Sequence, residues 1–276
     1  MKATKTHDIG ETELILNGPP TDDELSLDSR LNDALETVVI TDREVESVAP
    51  ILSLKFLESL TINRCNLTEL PPMEPSPSLE FLNLNENEID LKSLNQAIES
   101  GLLAHVRVLN LEQNFFPVVP AISNAEAITD LSLAYNKLTA LSSLPRNTLQ
   151  LDLSHNQLYN ADLLRSLVRL RTVSLSDNEL SSVPTIPPSV CTLDLSNNQL
   201  ASTTDLRLLA EMPMLRTLDV RGNPLCQEKD YRLAVIYHLQ GIGELDGEAV
   251  SVEDRVAAIN MFERVMAHDL AATAVY

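Results

Sequence analysis

The chain has 276 residues and carries 40 acidic against 20 basic side chains, which gives a formal net charge of −20 at pH 7. A surface this acidic repels the phosphates of nucleic acids and of anionic membranes, which argues against direct nucleic-acid binding and against membrane-surface binding. A protein partner with a basic or mixed surface suits this charge better, although the charge also keeps a long exposed protein in solution.

The first ten residues are polar and lack the apolar run that is typical of a signal peptide, and no apolar stretch is long enough to cross a membrane. The three cysteines, Cys65, Cys191 and Cys226, are odd in number, and no two are spaced as metal ligands are. This cysteine usage is typical of a reduced, intracellular compartment. We therefore expect a cytoplasmic protein without membrane insertion.

Residues 1–34 are the least regular part of the chain and are predicted to form an N-terminal cap region. Within them, residues 14–16 favour a short entry strand. Thr21 and Glu24 have the spacing of a capping box, which predicts the start of a short helix there.

From residue 35 to residue 225 one pattern returns, Leu-x-Leu-x-x-Asn-x-Leu, as in LDLSNNQL at residues 193–200. Two apolar residues at i and i+2 are typical of a short strand with one buried face. The asparagine amide both donates and accepts, so it can satisfy backbone groups in a turn. These asparagine-equivalent positions, here called the asparagine column, are Cys65, Asn87, Asn114, Asn136, Asn156, Asn178, Asn198 and Asn223.

Successive members of the asparagine column lie 20 to 27 residues apart, and with a degenerate first repeat at Arg43 this gives about nine repeats. A pattern that recurs at nearly fixed spacing resembles the leucine-rich repeat family. The resemblance implies an α/β fold. This is a leucine-rich repeat solenoid with a curved parallel β-sheet on its concave face, helices and extended segments on its convex face, and a cap at both ends. Cysteine is a known variant at the asparagine position, so Cys65 is predicted to be structural.

The segments between repeats differ in kind. Apolar residues at partly helical spacing predict helical turns at residues 91–104, 160–168 and 203–211. Prolines at residues 144–145 and 183–188 predict extended crossings instead, because proline fixes φ and has no amide hydrogen.

The C-terminal end leaves the repeat pattern. Residues 226–250 resemble the C-terminal cap of the intracellular class of leucine-rich repeat proteins, through the segments 231–236 and 239–247. That class includes a regulatory subunit of protein phosphatase 1, a spliceosomal A-prime protein, acidic nuclear phosphoproteins and axonemal dynein light chain one. A cap of this kind covers the last core layer and its unpaired strand edge.

Residues 251–276 are predicted to form a terminal amphipathic helix and tail, with Ser251 and Asp254 at its start. Its apolar stripe consists of Val252, Val256, Ile259, Phe262, Met266 and Leu270. Such a stripe usually docks on its own domain, which is the interpretation we favour, and a partner-binding helix is the alternative.

No catalytic constellation stands out in the sequence. The five histidines are scattered, and neither a phosphate-cradling glycine loop nor a nucleophile elbow occurs. Asp152, Asp194 and Asp219 align across repeats, but a polar side chain on the solvent side of a strand needs no special role. We therefore expect no enzyme activity, no cofactor and no metal site.

The pattern does provide a surface, because residues between the strand leucines point away from the core. Exposed aromatics among polar residues suit protein binding, and Phe81, Tyr135 and His155 are the expected anchors. The predicted partner-binding residues of the concave face are Phe81, Asn83, Asn110, Tyr135, Asp152, His155, Asp177, Asp194, Asp219 and Arg221.

Taken with the resemblance, these features predict a non-enzymatic interaction scaffold, monomeric on its own, that holds a protein partner in its concave face. The resemblance implies a phosphatase-regulatory or an axonemal, microtubule-associated adaptor, in the cytoplasm or in the ciliary axoneme. The alternative is a protein-binding subunit of a nuclear ribonucleoprotein, which contacts protein rather than RNA.

Overall fold

The computed structural model describes residues 12–18, 31, 33–45, 47–72 and 76–273, and it describes side chains as far as residue 263. The helix predicted at Thr21 and Glu24 lies outside these residues. The chain divides into two compact units, residues 1–153 and residues 154–276. Both are built from short parallel strands joined by helical or extended crossings, as the repeat pattern predicts.

The first unit contains seven strands in its described part. They are β1 (Glu13–Asn17), β2 (Thr37–Thr41), β3 (Ser59–Asn63), β4 (Phe81–Asn83), β5 (Val108–Asn110), β6 (Asp130–Ser132) and β7 (Gln150–Asp152). Each strand pairs in parallel with the next along the chain. The register aligns Leu82, Leu109 and Leu131 on successive strands. The predicted entry strand is confirmed as β1.

The second unit contains five strands in its described part. They are β8 (Thr172–Ser174), β9 (Thr192–Asp194), β10 (Thr217–Asp219), β11 (Glu244–Leu245) and β12 (Glu248–Ala249). Strands β8 to β11 pair in parallel, and β12 closes the edge antiparallel to β11. An exposed glutamate on this short last strand discourages pairing with another chain.

The crossings are of the predicted kinds. The described helices are α1 (Ala49–Leu52), α2 (Leu91–Glu99), α3 (Tyr231–His238) and α4 (Val252–Thr273), and 3₁₀ segments lie at Asp162–Ser166, Thr203–Glu211 and Pro224–Gln227. Helix α2 starts where Asp90 accepts a hydrogen bond from the amide of Ser93 at 2.9 Å, and it ends before Gly101, whose φ is +107°. The two proline-containing crossings contain no helix.

The strand leucines form the core of each unit. The middle residue of every three-residue strand is buried, and its two neighbours are partly or fully exposed. A second buried leucine follows two positions later, as with Leu82 and Leu84 in the first unit and with Leu193 and Leu195 in the second. The opposite side of the strands therefore faces solvent, and we call it the sheet face.

The asparagine column ties neighbouring repeats together. In the second unit, the Asn198 side-chain amide donates to the carbonyls of Leu175, Leu195 and Ser196 at 2.9 to 3.1 Å, and its Oδ1 accepts from the amide of Leu180 at 3.0 Å. One side chain thus satisfies four buried or partly buried backbone groups in two successive repeats. The predicted structural role of the column is confirmed.

Cys65 occupies its place in the column without behaving as a reactive thiol. Its Sγ contacts the carbonyl oxygens of Ile40 and Asn63 at 3.4 and 3.2 Å, and it lies in the core. Burial raises the pKa of the Cys65 thiol, which disfavours the nucleophilic thiolate. The predicted structural role of Cys65 is confirmed.

The C-terminal cap continues the same hydrogen-bonding scheme with a carboxylate. Asp246 is buried, its Oδ1 accepts from the amide of Val220 at 2.9 Å, and its Oδ2 accepts from the Tyr231 hydroxyl at 2.9 Å. Burial, followed by the hydrogen bond to Asp246, raises the pKa of Tyr231 to about 12. Asp246 therefore takes the part that asparagine plays in the repeats, and it links α3 to the end of β10.

Glu228 supplies a second link between the cap and the repeats. Its carboxylate accepts from the Thr203 hydroxyl at 2.6 Å and from the Thr203 amide at 3.2 Å, at the start of a 3₁₀ segment. The Thr203 hydroxyl lowers the pKa of Glu228 below its usual value. A lowered folded-state pKa means that the ionised carboxylate stabilises the fold.

We expect this contribution to be lost in acid. It is fully present above the unfolded-state pKa of about 4.3 and disappears as the pH falls through the lower folded-state pKa. The Glu228→Gln variant keeps the shape and removes the charge. In thermal melts at pH 7, the parent should have a higher melting temperature than the variant. This difference in melting temperature should disappear below about pH 4. A gap that is the same at pH 7 and pH 3 would rule out the charged carboxylate as the cause.

Helix α4 begins as predicted. The amide of Ser251 donates to Asp254 Oδ2, and the amide of Asp254 donates to Ser251 Oγ, both at 3.0 Å, which is the reciprocal pattern of a capping box.

The interpretation that the α4 stripe docks on its own domain is wrong for Val252, Val256 and Ile259, which are exposed. The interpretation holds for Phe262, another member of the stripe, whose ring stacks on Tyr237, and the helix also packs through Ala258. The apolar period alone could not show which members of the stripe the cap would cover. Met266 and Leu270 lie beyond the described side chains.

Candidate functional site

The sheet face carries the residues predicted to bind a partner, divided between the two units. In the first unit, Phe81, Asn83, Asn110 and Asp152 lie on β4, β5 and β7, and each is partly exposed. Tyr135 follows β6 and is exposed. In the second unit the predicted residues are His155, Asp177, Asp194, Asp219 and Arg221.

Several of these polar residues also build the turn after their own strand. Asn83 accepts from the amide two residues later at 3.1 Å, and Asn110 does the same at 2.9 Å. Asp194 and Asp219 accept from the corresponding amides at 2.8 and 3.0 Å. Asparagine and aspartate are favoured at such positions because their side chains mimic a backbone turn. A substitution there must keep an acceptor oxygen if the turn is to survive.

The residue just before each member of the asparagine column has left-handed backbone. Tyr135, His155 and Asp177 have φ of 52°, 53° and 53°, and the same holds for Arg64, Glu86, Gln113, Asn197 and Gly222. For residues other than glycine this conformation costs about 1–2 kcal/mol. The cost is offset because the amide donates to the next repeat, as from His155 to the carbonyl of Ser176 at 2.9 Å. The hydrogen-bonded backbone therefore fixes the conformation at these positions, whereas the type of side chain varies from repeat to repeat.

An exposed aromatic patch, formed by Phe115, Tyr135 and Lys137, borders the sheet face of the first unit. Phe115 is 49% exposed and Tyr135 is 46% exposed. The Lys137 ammonium lies 4.9 Å from the centre of the Phe115 ring, a cation–π contact. Phe115 and Tyr135 are held close to Asn136, whose Oδ1 accepts from the amides on both sides of Phe115.

Phe115 was missed as a candidate from the sequence alone. The sequence signal for it is the adjacent pair Phe115 and Phe116. Phe116 fills the core, so Phe115, its neighbour on a tight turn, must face solvent. Phe81, in contrast, is only partly exposed and is the weaker anchor.

An acidic row, formed by Asp177, Asp194 and Asp219, marks the sheet face of the second unit. Asp194 and Asp219 are direct neighbours in the strand register. Burial alone would raise the pKa of Asp219, but hydrogen bonds from Arg221 outweigh it and hold that pKa below its usual value. His155 Nε2 lies 3.5 Å from Asp177 Oδ2. The same oxygen accepts a hydrogen bond from the side-chain amide of Asn197 at 3.2 Å.

Two arginines near the acidic row make their resolved side-chain contacts elsewhere. Arg171 donates to the carbonyl of Ser189 at 3.0 Å, and Arg216 donates to the carbonyls of Pro213 and Leu215 at 2.9 and 2.8 Å. Among the described ion pairs of the row, only that of Arg221 with Asp219 involves an arginine. The row therefore carries more negative than positive charge.

Within the described ranges, no group of three or more His, Cys, Asp or Glu side chains is placed to hold a metal ion. The helices of the same residues include none that combines the length and the apolar character needed to cross a bilayer.

Comparison with known proteins gives a consistent result. A family model described as "Leucine-rich repeat" matches residues 128–274. Human Toll-like receptor 5 is 36% identical over 127 residues, which cover 43% of this chain and 14% of the receptor. The chain therefore spans only a small part of that relative.

Two solved structures from Listeria monocytogenes share the fold. An internalin, InlF, has a TM-score of 0.62 at 18% identity and covers 88% of this chain and 76% of its own. The functional domain of InlJ has a TM-score of 0.61 at 20% identity and covers 89% of this chain and 52% of its own. The predicted fold class is confirmed by the strand arrangement, the asparagine column and these matches together. The chain belongs to the leucine-rich repeat family.

Proposed function

We propose that the protein is a non-enzymatic scaffold that binds a protein partner through its sheet face. The observation that carries this proposal is the exposed aromatic patch at Phe115 and Tyr135. Aromatic side chains are enriched among the residues that dominate binding energy, because they bury a large area at low cost in entropy. The asparagine column and the strand pairing satisfy the backbone beneath them, and about half of each residue's surface faces solvent, where a partner can contact it.

The acidic row favours a partner with a basic or mixed surface. Charges on the rim of an interface mainly steer the encounter, whereas a desolvated aromatic anchor supplies affinity. The proposed anchors lie in the first unit and the proposed steering charges lie in the second. The partner classes that we propose are a phosphatase and an axonemal or microtubule protein, on the strength of the cap that resembles the intracellular class.

An affinity pull-down compares the parent with two tyrosine variants. Tyr135→Ala removes the anchor on the sheet face. Tyr159→Ala is the matched control, because Tyr159 is 63% exposed and lies beyond the turn that follows Asn156. If Tyr135 is a hot spot, its loss should cost about 2 kcal/mol or more of affinity, which is roughly thirtyfold in Kd. The control should retain the partner.

The proteins recovered by the parent then distinguish the candidates. Recovery of a phosphatase, a dynein or a tubulin component supports the phosphatase-regulatory or axonemal adaptor. Recovery of a splicing protein supports the ribonucleoprotein alternative. Equal recovery by both tyrosine variants would contradict binding through the aromatic patch.

The acidic row leads to a separate kinetic prediction. Asp194→Asn keeps the oxygen that accepts from Ser196, so it removes charge without removing the turn. We expect slower association with the recovered partner, a weaker dependence on salt and a nearly unchanged dissociation rate. Surface plasmon resonance at two salt concentrations measures all three. A change confined to the dissociation rate would show that Asp194 is a contact residue and not a steering charge.

A further inference from the structure

Helix α4 is held to the cap by one face of its first three turns. Ala258 is fully buried, and the ring of Phe262 stacks on Tyr237 with 5.1 Å between centroids. The Arg255 guanidinium donates to the carbonyls of Gln240, at 2.7 Å, and Ile242. These contacts fix the rotation of the helix, and with it the direction in which its other faces point.

A second face of α4 is apolar and exposed. Val252, Val256 and Ile259 follow one another at steps of four and three residues, which places them on a single stripe. They are 71%, 52% and 39% exposed. On a helix that is fixed to its domain, an apolar stripe turned to solvent is unfavourable unless another surface covers it.

The free charges beside this stripe are acidic. Glu253 lies next to Val252, Glu263 lies one turn after Ile259, and both are exposed. Among the basic residues of α4 whose side chains are described, Arg255 is the nearest to the stripe, and its guanidinium is held by the carbonyls of the cap. Asp254 is engaged by Ser251 and lies 4.0 Å from Arg232. The stripe is therefore bordered by unpaired negative charge.

A small cavity of about 110 Å³ lies beside the anchor of α4. Its lining includes Gln240 and Ile242, the two residues whose carbonyls hold Arg255, together with the apolar side chains of Leu209, Met212 and Leu215.

We propose that this α4 stripe is a second docking site, separate from the sheet face, for a basic amphipathic helix of a partner protein. The apolar side chains of that helix would pack on Val252, Val256 and Ile259, and its lysines or arginines would pair with Glu253 and Glu263. Recognition of this kind uses anchors spaced one helical turn apart. A second copy of this chain fits worse, because it would bring a formal charge of −20 against another −20 and acidic rims against each other.

The test uses the full chain and a designed 18-residue helical peptide with leucines on one face and lysines beside them. The controls are a scrambled peptide of the same composition and a peptide with glutamate in place of lysine. Fluorescence anisotropy of the labelled peptides measures Kd for the parent and two variants. Val256→Glu places a charge on the stripe, and Ala257→Glu adds the same charge at an exposed position beside it.

The proposal predicts binding of the lysine peptide alone, weakened at least tenfold by Val256→Glu and changed less than twofold by Ala257→Glu. Circular dichroism melts check the fold, and Val256→Ser replaces Val256→Glu if the latter melts early. Absence of binding, equal binding of the scrambled or glutamate peptide, or equal loss in both variants overturns it. The proposal is also overturned if sedimentation equilibrium shows that the parent is a dimer and that Val256→Glu dissociates this dimer. The occupant of the stripe would then be a second copy of the chain.

Discussion

Truncation after Leu225 should leave a protein that no longer unfolds cooperatively and that aggregates. The truncation removes the five large buried apolar side chains of the cap, namely Val235, Ile236, Leu239, Ile242 and Leu245. Each contributes about 2 kcal/mol by its burial, so the sum is about 10 kcal/mol, as large as the whole stability of a typical domain. The same change exposes the last leucine layer and leaves β10 without its partner strand β11.

The matched control is truncation after Val250, which removes α4 and keeps the cap. That protein loses the contacts of Ala258 and Phe262 but not the layer beneath them. We expect it to stay monomeric in size-exclusion chromatography, with a lower melting temperature than the parent. A chain ending at Leu225 that is monomeric and melts like the parent would contradict the role given to the cap.

The Asn198→Ala variant should lose about 3 kcal/mol of its free energy of unfolding. The substitution removes the hydrogen bonds to three carbonyls and one amide, all buried or partly buried. Each buried group left unpaired costs about 1–3 kcal/mol, and local relaxation recovers part of the total. Urea denaturation measures the change, with an unchanged m-value as evidence that the same two states are compared.

The neighbouring asparagine provides the control for this experiment. Asn197 is exposed and its φ is 53°, so replacement by alanine would mix loss of the amide with backbone strain. Asn197→Gly removes the amide without that strain, because glycine adopts left-handed backbone freely. We expect a change below about 0.5 kcal/mol, as for most surface substitutions. Equal losses at Asn197 and Asn198 would show that the repeat register is wrong.

Much of the fold follows from the sequence because the repeat leaves the backbone few alternatives. A strand of three residues cannot satisfy the loops around it, so an amide at a fixed offset from the leucines must do so, and Asn198 illustrates how. A cap is predicted for a related reason. Where the pattern stops, the last core layer needs a cover, and Asp246 supplies the missing hydrogen bonds there.

The face through which α4 packs could not be predicted. Val252, Val256 and Phe262 belong to one apolar stripe, yet Phe262 docks with Ala258 while the two valines face solvent, and the period alone does not separate them. The outcome depends on two carbonyls of the cap that hold Arg255, and no local pattern places them beside that side chain.

The candidate site was predicted in outline from the register and missed in detail. The alternation of apolar and polar residues along the strands assigned Asn110 and Asp194 to the sheet face. Their hydrogen bonds to the following turn depend on side-chain rotamers, which the sequence pattern does not specify. The exposure of Phe115 similarly depends on a left-handed residue, with φ of 63°, next to a buried aromatic.

The claim that the sheet face binds a partner is tested most directly by hydroxyl-radical footprinting of the complex against the free protein. Phe115 and Tyr135 should be labelled several-fold less in the complex, because a partner on the aromatic patch excludes solvent from both rings. Tyr159 and Phe56, which are exposed and do not belong to the patch, should be labelled equally in the two samples. Protection of Tyr159 with no change at Tyr135 would contradict the assignment of the sheet face as the binding surface.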